Sequence, residues 1–448
     1  MASTYLTRTF SAGNQKTFTF SAWVKFADDS SIATLFATGA DSENRLIFIR
    51  HDSGSGCGLK IDGKTSTTQT IEVRTNRAIR DPNAWYHIVM RVDTTESTDS
   101  DRVRIYVNGE LETSLAQSTY PSLNHDTELN KAAVHAIGRY SYSASNFFNG
   151  CMSHVHFADG QSLPPTTFGE TDSTTGIWKI KTAPSFTLGT NGFSILKDDA
   201  TITDQSSNSN NFTLAGGTLT PTQDNPSNVF ATLNPLDNYY AQSSFTNAAR
   251  GQTSSASDYG WVPSTLGMTS GKWYAECKQT GFSGGSNYDL IGVTAAQNTS
   301  DSHYLGQQSY TAGYYAQGNV YNQSGSATST YASYTTGDII GVALDLDNNA
   351  LYFSKNGSWQ NSGDPTSGAS KTGALSITAV GSTTRGAYFF ASGDYGNTVI
   401  VNNAWNFGDG YFGTTAVSSA GTNATGIGIF EYDVPSGYKA LCTKGLND

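Results

Sequence analysis

At 448 residues the chain has room for two or three domains, each large enough to bury its own core. Charged residues make up only 14% and aromatic residues 12%, with 46 glycines and no long segment of 3.6-residue period, which points to an all-β protein with large polar loops. The net charge of −11 argues against nucleic acid or an anionic membrane as partner, since both need a basic face.

The opening MASTYLTRTF lacks the basic start and apolar core of a secretion signal, so the expectation is a chain made in the cytoplasm. No apolar run is long enough to span a bilayer. The cysteines fall two per half, Cys57 with Cys151 and Cys277 with Cys442, without the CxxC spacing of zinc sites. They read as buried or half-buried thiols, with a disulfide in each half as the alternative.

The first half is a series of alternating strands. Phe18, Phe20, Ala22 and Val24 share one side of Lys16 to Phe26, and a second strand runs from Leu46 to Arg50. In the next, Trp85, His87, Val89 and Arg91 alternate with Tyr86, Ile88, Met90 and Val92. An acidic loop, Glu96 to Asp101, leads to a strand that turns at Asn108-Gly109, and Phe147 to Gly160 closes the unit. The pieces FSAWVKF, WYHIV…VRIYVNG and FNGCMSHVHFADG, in this order, resemble laminin-G-like, concanavalin A-type jelly rolls over residues 1–165.

Residues 166–229 are rich in Ser, Thr, Asn and Pro. Trp178, Ile180, Phe186, Phe193 and Phe212 need burial there, which predicts a connector with short strands, packed between or beside two sandwiches.

Residues 230–448 form the second sandwich, built on a hairpin. Val342, Leu344 and Leu346 alternate before a turn at Asp347-Asn348-Asn349, and the chain returns through Leu351 to Lys355 to turn again at Asn356-Gly357. GVALD…LYFSKNG resembles the central hairpin of SPRY (B30.2-like) β-sandwiches, which are binding modules. The tail FEYDVPSGYKALCTKGLN resembles the closing segment of phage-type SPRY repeats, with an insertion near Asp409–Gly428.

The pairing of these two sandwiches resembles virion proteins of tailed bacteriophages, marine ones especially. That resemblance implies a non-enzymatic virion structural protein, a tail-fibre or tail-tip adhesin that contacts a host surface glycan or protein. Its other partners would be virion proteins, including further copies of itself in a trimer. The rival readings are a head-decoration or tail-adaptor protein and, from another class, a polysaccharide-degrading enzyme.

Glu110 and Glu112 have the i, i+2 spacing of a glycosidase carboxylate pair but follow a turn where solvated acids are ordinary, so no catalytic residue is expected. Asp345 and Asp347 read as turn caps. Laminin-G-like folds hold calcium on rim loops; Asp93, Asp99 and Asp101 are the candidates, set against a solvated acidic loop. His154 and His156 sit on one side of a strand, a pair that could ligate metal on a trimer axis, set against two half-buried histidines. No cofactor is expected. The ligand-binding candidates are Tyr304, Tyr310, Tyr314, Tyr315 and Tyr321, interleaved with Gly, Ser, Asn and Gln in the composition of a paratope or sugar platform. Alternate tyrosines would equally serve as strand residues of the core.

Overall fold

The strand Thr17–Phe26 is buried on both faces along almost its whole length. A strand that loses both faces to solvent needs two layers to cover it, and the first half of the protein is arranged to supply them. The computed structural model describes residues 4–27, 32–51, 57–197, 200–255, 259–396 and 398–447. They divide into two units, Met1–Pro221 and Thr222–Asp448, both nearly all β.

In the first unit Thr17–Phe26 lies inside a six-stranded sheet, ordered Phe193–Ile195, Gly150–Asp159, Thr17–Phe26, Tyr86–Asp93, Val103–Val107 and Glu110–Leu111. It packs on an eight-stranded sheet ordered Leu115–Thr119, Thr68–Thr75, Gly58–Thr65, Arg45–His51, Ala33–Gly39, Val134–Ile137, Tyr5–Thr9 and Thr213–Gly216. Phe18, Phe20, Ala22 and Val24 all point into the space between the sheets and join one core, where Phe20 stacks on Phe36 with ring centroids 5.3 Å apart.

Residues 166–221 are not a connector; they complete this sandwich. Phe193–Ile195 adds an edge strand to Gly150–Asp159, pairing Val155 with Ile195 and Phe157 with Phe193. Thr213–Gly216 adds another to Tyr5–Thr9. Phe193, Ile195 and Phe212 belong to the same buried core as Phe18 and Phe20. The expected boundaries at 165 and 230 therefore give way to one, after Pro221. The physical reason is that these aromatic side chains have a core to enter only as edge strands of the two sheets.

Residues 161–186 cover the outer face of the six-stranded sheet, where Phe168 packs with Val89 and Tyr106. Thr19 donates its hydroxyl to the Gln161 carbonyl at 2.7 Å and accepts the Leu163 N–H at 2.9 Å. Trp178, on the short hairpin Gly169–Thr171 and Trp178–Ile180, lies in a slot that two glycines open. A Cβ at Gly109 or Gly169 would come within 2.6 Å or 2.5 Å of its indole.

The second unit is built on the hairpin Ile339–Asp345 and Ala350–Lys355, paired with Val342 opposite Phe353 and Leu344 opposite Leu351. Its first turn is capped by Asp345, which accepts the Asn348 N–H at 3.0 Å. At its second, Asn356 and Gly357 take φ of 49° and 79°, the left-handed pair that a tight hairpin needs. The hairpin sits in a sheet ordered Ser244–Thr246, Gly251–Thr253, Ile400–Asn406, Lys272–Ser283, Ile339–Asp345, Ala350–Lys355 and Ser358–Trp359. The facing sheet runs Gly260–Pro263, Phe389–Asp394, Asp289–Thr294, Thr311–Tyr315, Asn319–Asn322 and Ser329–Thr330.

Two outcomes are expected. Residues 1–221 produced alone should give a cooperative unfolding transition, whereas residues 1–165, stripped of Phe193, Ile195, Phe212 and Trp178, should not; calorimetry on both fragments decides. Leu344 and Phe353 are both at or below 1% exposure in the core. Leu344→Ala should therefore cost about 2–5 kcal/mol in denaturant unfolding. Lys355→Ala loses a part-exposed ion pair to Asp338 at 3.2 Å and should cost no more than about 1 kcal/mol.

Candidate functional site

The tyrosine-rich stretch does not form an exposed platform. Tyr304, Tyr314, Tyr315 and Tyr321 are each 6% exposed or less, and Tyr310 is half-buried. The strands Thr311–Tyr315 and Asn319–Asn322 bury both of their faces. Tyr314 points into the sandwich, 5.0 Å from Tyr334 and 5.6 Å from Phe353. Tyr315 and Tyr321 point the other way, under Tyr304 and Tyr395, with Tyr304 and Tyr395 centroids 4.3 Å apart. The alternation was that of strand residues in two packed layers, so these side chains are corrected from ligand contacts to core.

The most exposed aromatic side chain among the described residues of the second unit lies elsewhere. Tyr239 is 83% exposed and Leu236 53%, and they line a cleft of about 220 Å³ with Asp237, Tyr240, Ala241, Gln297 and Asn298. The loop that carries Tyr239 is fixed by its own side chains. Asn234 Oδ1 accepts the Leu236 N–H at 3.0 Å, and the Asn238 amide brackets Ser243, accepting its N–H at 2.9 Å and donating to its carbonyl at 2.7 Å. Tyr240 meets Tyr239 edge-on at 4.9 Å and so holds the exposed ring in place.

The polar side of the cleft is charge-balanced. Asp237 Oδ2 accepts from Arg385 Nη1 at 2.8 Å, and the Arg385 guanidinium lies 4.4 Å over the Phe389 ring. Asn298 is 7% exposed, and its Nδ2 has no hydrogen-bond partner among the described residues. It comes this deep because position 260 is glycine: a Cβ there would lie 2.9 Å from Asn298 Nδ2 and 2.8 Å from Ala241 Cα. Sequence reasoning missed this cleft. The available signal was Tyr239-Tyr240 itself, two adjacent aromatics after an Asn-Pro turn, which no single buried face can take together.

The other candidates have structural work. Asp93 accepts from the Thr95 N–H at 3.1 Å and hydroxyl at 2.6 Å, Asp99 accepts the Ser100 N–H at 2.7 Å, and Asp101 pairs with Arg104. Among the described residues no three His, Cys, Asp or Glu side chains are placed to hold a metal. Glu112 is nearly buried and receives Arg77 Nε at 2.6 Å, and Glu110 faces solvent beside the same arginine. His154 and His156 are separated by an irregularity in the pairing of their strand, with His154 at a φ of 49°. His156 is buried, its Nδ1 2.8 Å from Ser194 Oγ and its ring stacked on Phe168. The two rings stay 6.3 Å apart, one buried and committed to Ser194 and one at a bulge.

One buried pair has the look of a nucleophile and base. Ser21 Oγ lies 2.9 Å from His87 Nε2, and the imidazole lies nearly parallel to the Trp23 ring with centroids 5.0 Å apart. Trp178 Nε1 donates to His87 Nδ1 at 3.0 Å. That fixes the proton on Nε2, which must donate to Ser21, so the ring has no lone pair to take the serine proton. Burial holds the His87 and His135 imidazoles neutral, with pKa values pushed down to about 3, and pushes His156 down as well.

The second unit buries acids instead. Glu276 accepts the backbone N–H groups of Glu431 and Tyr432 at 2.8 and 2.9 Å and the Tyr274 hydroxyl at 3.0 Å. Asp289 accepts from Asn403 Nδ2 at 2.6 Å. Burial outweighs these bonds and raises both carboxyls to about 7. Among the described residues no helix is long and apolar enough to cross a membrane.

Comparison with known proteins agrees with this architecture. Residues 2–164 match the family model of the concanavalin A-like lectin/glucanases superfamily, laminin-G type, and residues 272–391 match that of the SPRY domain. The protein thus carries a concanavalin A-like domain followed by a SPRY domain. Among solved structures, the SPRY domain of human HERC1 is 19% identical, covering 35% of this chain and 87% of that one at a TM-score of 0.27. Domain 4 of AbnA, an extracellular arabinanase of Geobacillus stearothermophilus, in complex with arabinotriose, is 19% identical, covering 35% of this chain and 65% of that one at 0.26. A SAP-like pentraxin of Limulus polyphemus is 14% identical, covering 36% and 72% at 0.27. No curated protein matches the chain.

The buried groups give the two units opposite responses to acid. A depressed imidazole contributes stability above its unfolded value of 6.5 that is lost as pH falls towards its folded value of about 3. A raised carboxyl contributes stability below its unfolded value, 4.5 for Glu276 and 3.8 for Asp289, that is lost as pH rises through about 7. The depressed carboxyls Asp41, Asp62 and Asp172 in one unit and Asp338, Asp364 and Asp433 in the other act below their ordinary value of 3.8, outside this window. Lowering the pH from about 6.5 to about 4.5 should lower the melting temperature of the first unit and raise that of the second. Calorimetry on the whole chain reads both, with Leu344→Ala marking the second transition. Movement of both in one direction would contradict the assignment.

Proposed function

We propose that the protein is a non-enzymatic recognition protein, exposed on the virion of a tailed bacteriophage as a tail-fibre or tail-tip adhesin that contacts the host surface. The observation that carries the recognition role is the Tyr239 cleft: a pre-oriented, 83% exposed aromatic ring beside a balanced ion pair and a buried amide without a partner. A few aromatic anchors dominate most interfaces, and here the ring stands beside polar groups in one cleft rather than alone. The virion setting is supported by the resemblance of the laminin-G-like and SPRY pairing, in this order, to phage virion proteins. The Ser21–His87 geometry supports a role without catalysis at that pair, because it is wired with the proton on the wrong nitrogen.

Two measurements test this reading. Purified protein should bind host cells and reduce adsorption of the phage that encodes it, and labelling should place it on the tail. Label on the capsid would favour the head-decoration role. Incubation with host polysaccharide should release no reducing sugar; release abolished by Glu112→Gln would establish the hydrolase instead.

A further inference from the structure

We infer that the Tyr239 cleft takes a single neutral pyranose residue of a glycan; this deepens the recognition role proposed above and rests on it. Three features of the cleft converge on that ligand class. Its volume of about 220 Å³ is below the range of roughly 300–1,000 Å³ that drug-sized ligands occupy, so it fits one ring of a larger molecule lying outside. Its rim is an aromatic face, Tyr239, fixed edge-on by Tyr240 at 4.9 Å. A pyranose presents one face of axial C–H groups, which lies flat on such a ring and buries apolar area there while its hydroxyls turn away.

The polar groups fit those hydroxyls. Each sugar hydroxyl is both donor and acceptor, so it needs an acceptor and a donor side by side. Asp237 is the acceptor: Arg385 holds it through Oδ2. The donor is the amide of Gln297, exposed on the cleft wall, whereas Asn298 Nδ2 is closed off from solvent against Gly260. The ion pair sets the ligand's charge. A cation is not drawn in, because Arg385 already neutralises Asp237 at 2.8 Å, and an anion meets that carboxylate on a protein of net charge −11.

The experiment uses the whole chain. It is screened on an array of neutral, sialylated and sulfated glycans, and then by saturation-transfer NMR with the methyl glycosides of glucose, galactose, mannose and N-acetylglucosamine. Capture of neutral glycans is expected, with saturation concentrated on ring C–H protons. Tyr239 is 83% exposed, so Tyr239→Ala should fold, as circular dichroism will check, and should weaken capture by about tenfold or more. Tyr239→Trp should retain it, and Gln297→Ala, at an exposed position, should weaken it while the fold persists. Equal capture by the parent and Tyr239→Ala would overturn the cleft as the site, and so would capture of charged glycans alone. If no glycan is captured but host cells still bind, the sugar inference falls and the adhesin reading stands. If host cells do not bind either, both fall.

Discussion

Strands that are buried on both faces dictate most of what is unusual here. A sandwich ordinarily hides one face of each sheet and leaves the other to water. In this protein the outer faces are hidden too, so each needs a cover. In the first unit, residues 161–186 lie over Thr19, Ser21 and Trp23, with Trp178 seated between Gly109 and Gly169. In the second, the segment around Glu431 and Tyr432 lies over Tyr274 and Glu276, and Tyr304 and Leu305 lie over Tyr315 and Tyr321.

The covers explain the buried polar centres. A covering loop brings backbone N–H groups and side-chain donors that no ladder satisfies, and each must find an acceptor under it. In the second unit Glu276 takes two backbone N–H groups of the cover. In the first, the donor is an indole, and the acceptor is His87 Nδ1. These are anchoring groups whose protonation follows from burial rather than from chemistry to be done. The same logic separates them from the Tyr239 cleft, where Tyr239 and the Gln297 amide are exposed rather than covered.

Period-two alternation made most of the strands legible, including both strands of the Ile339–Lys355 hairpin and Thr17–Phe26 with its inward Phe18, Phe20, Ala22 and Val24. Alternation says nothing about what covers the second face. Thr19 and Ser21 read as solvent-facing, yet are buried. Tyr315 and Tyr321 read as a platform for the same reason: a tyrosine opposite a core position is outward in the sheet, but a loop from elsewhere in the chain lies over it. Phe193 and Phe212 announced their need for burial without saying which core would receive them. The cleft was invisible because Asp237, Asn298 and Arg385 come from three separated loops, and spacing carries no record of such a meeting.

In the first unit the cover follows its sheet in the chain, and this has a consequence during synthesis. Thr17–Phe26 leaves the ribosome long before Trp178, and at about 5–20 residues per second the interval is roughly 10–30 s. Through that interval the nascent six-stranded sheet lacks its edge strand Phe193–Ile195 as well as its lid. Thr19 and Ser21 place hydroxyls that can stand in water on an outer face that also carries Trp23 and Val89, and so dilute the apolar surface on which other nascent chains could stack. The hydroxyls on that strand therefore serve two states in succession: hydrated on the emerging sheet, and bonded to the lid once it arrives.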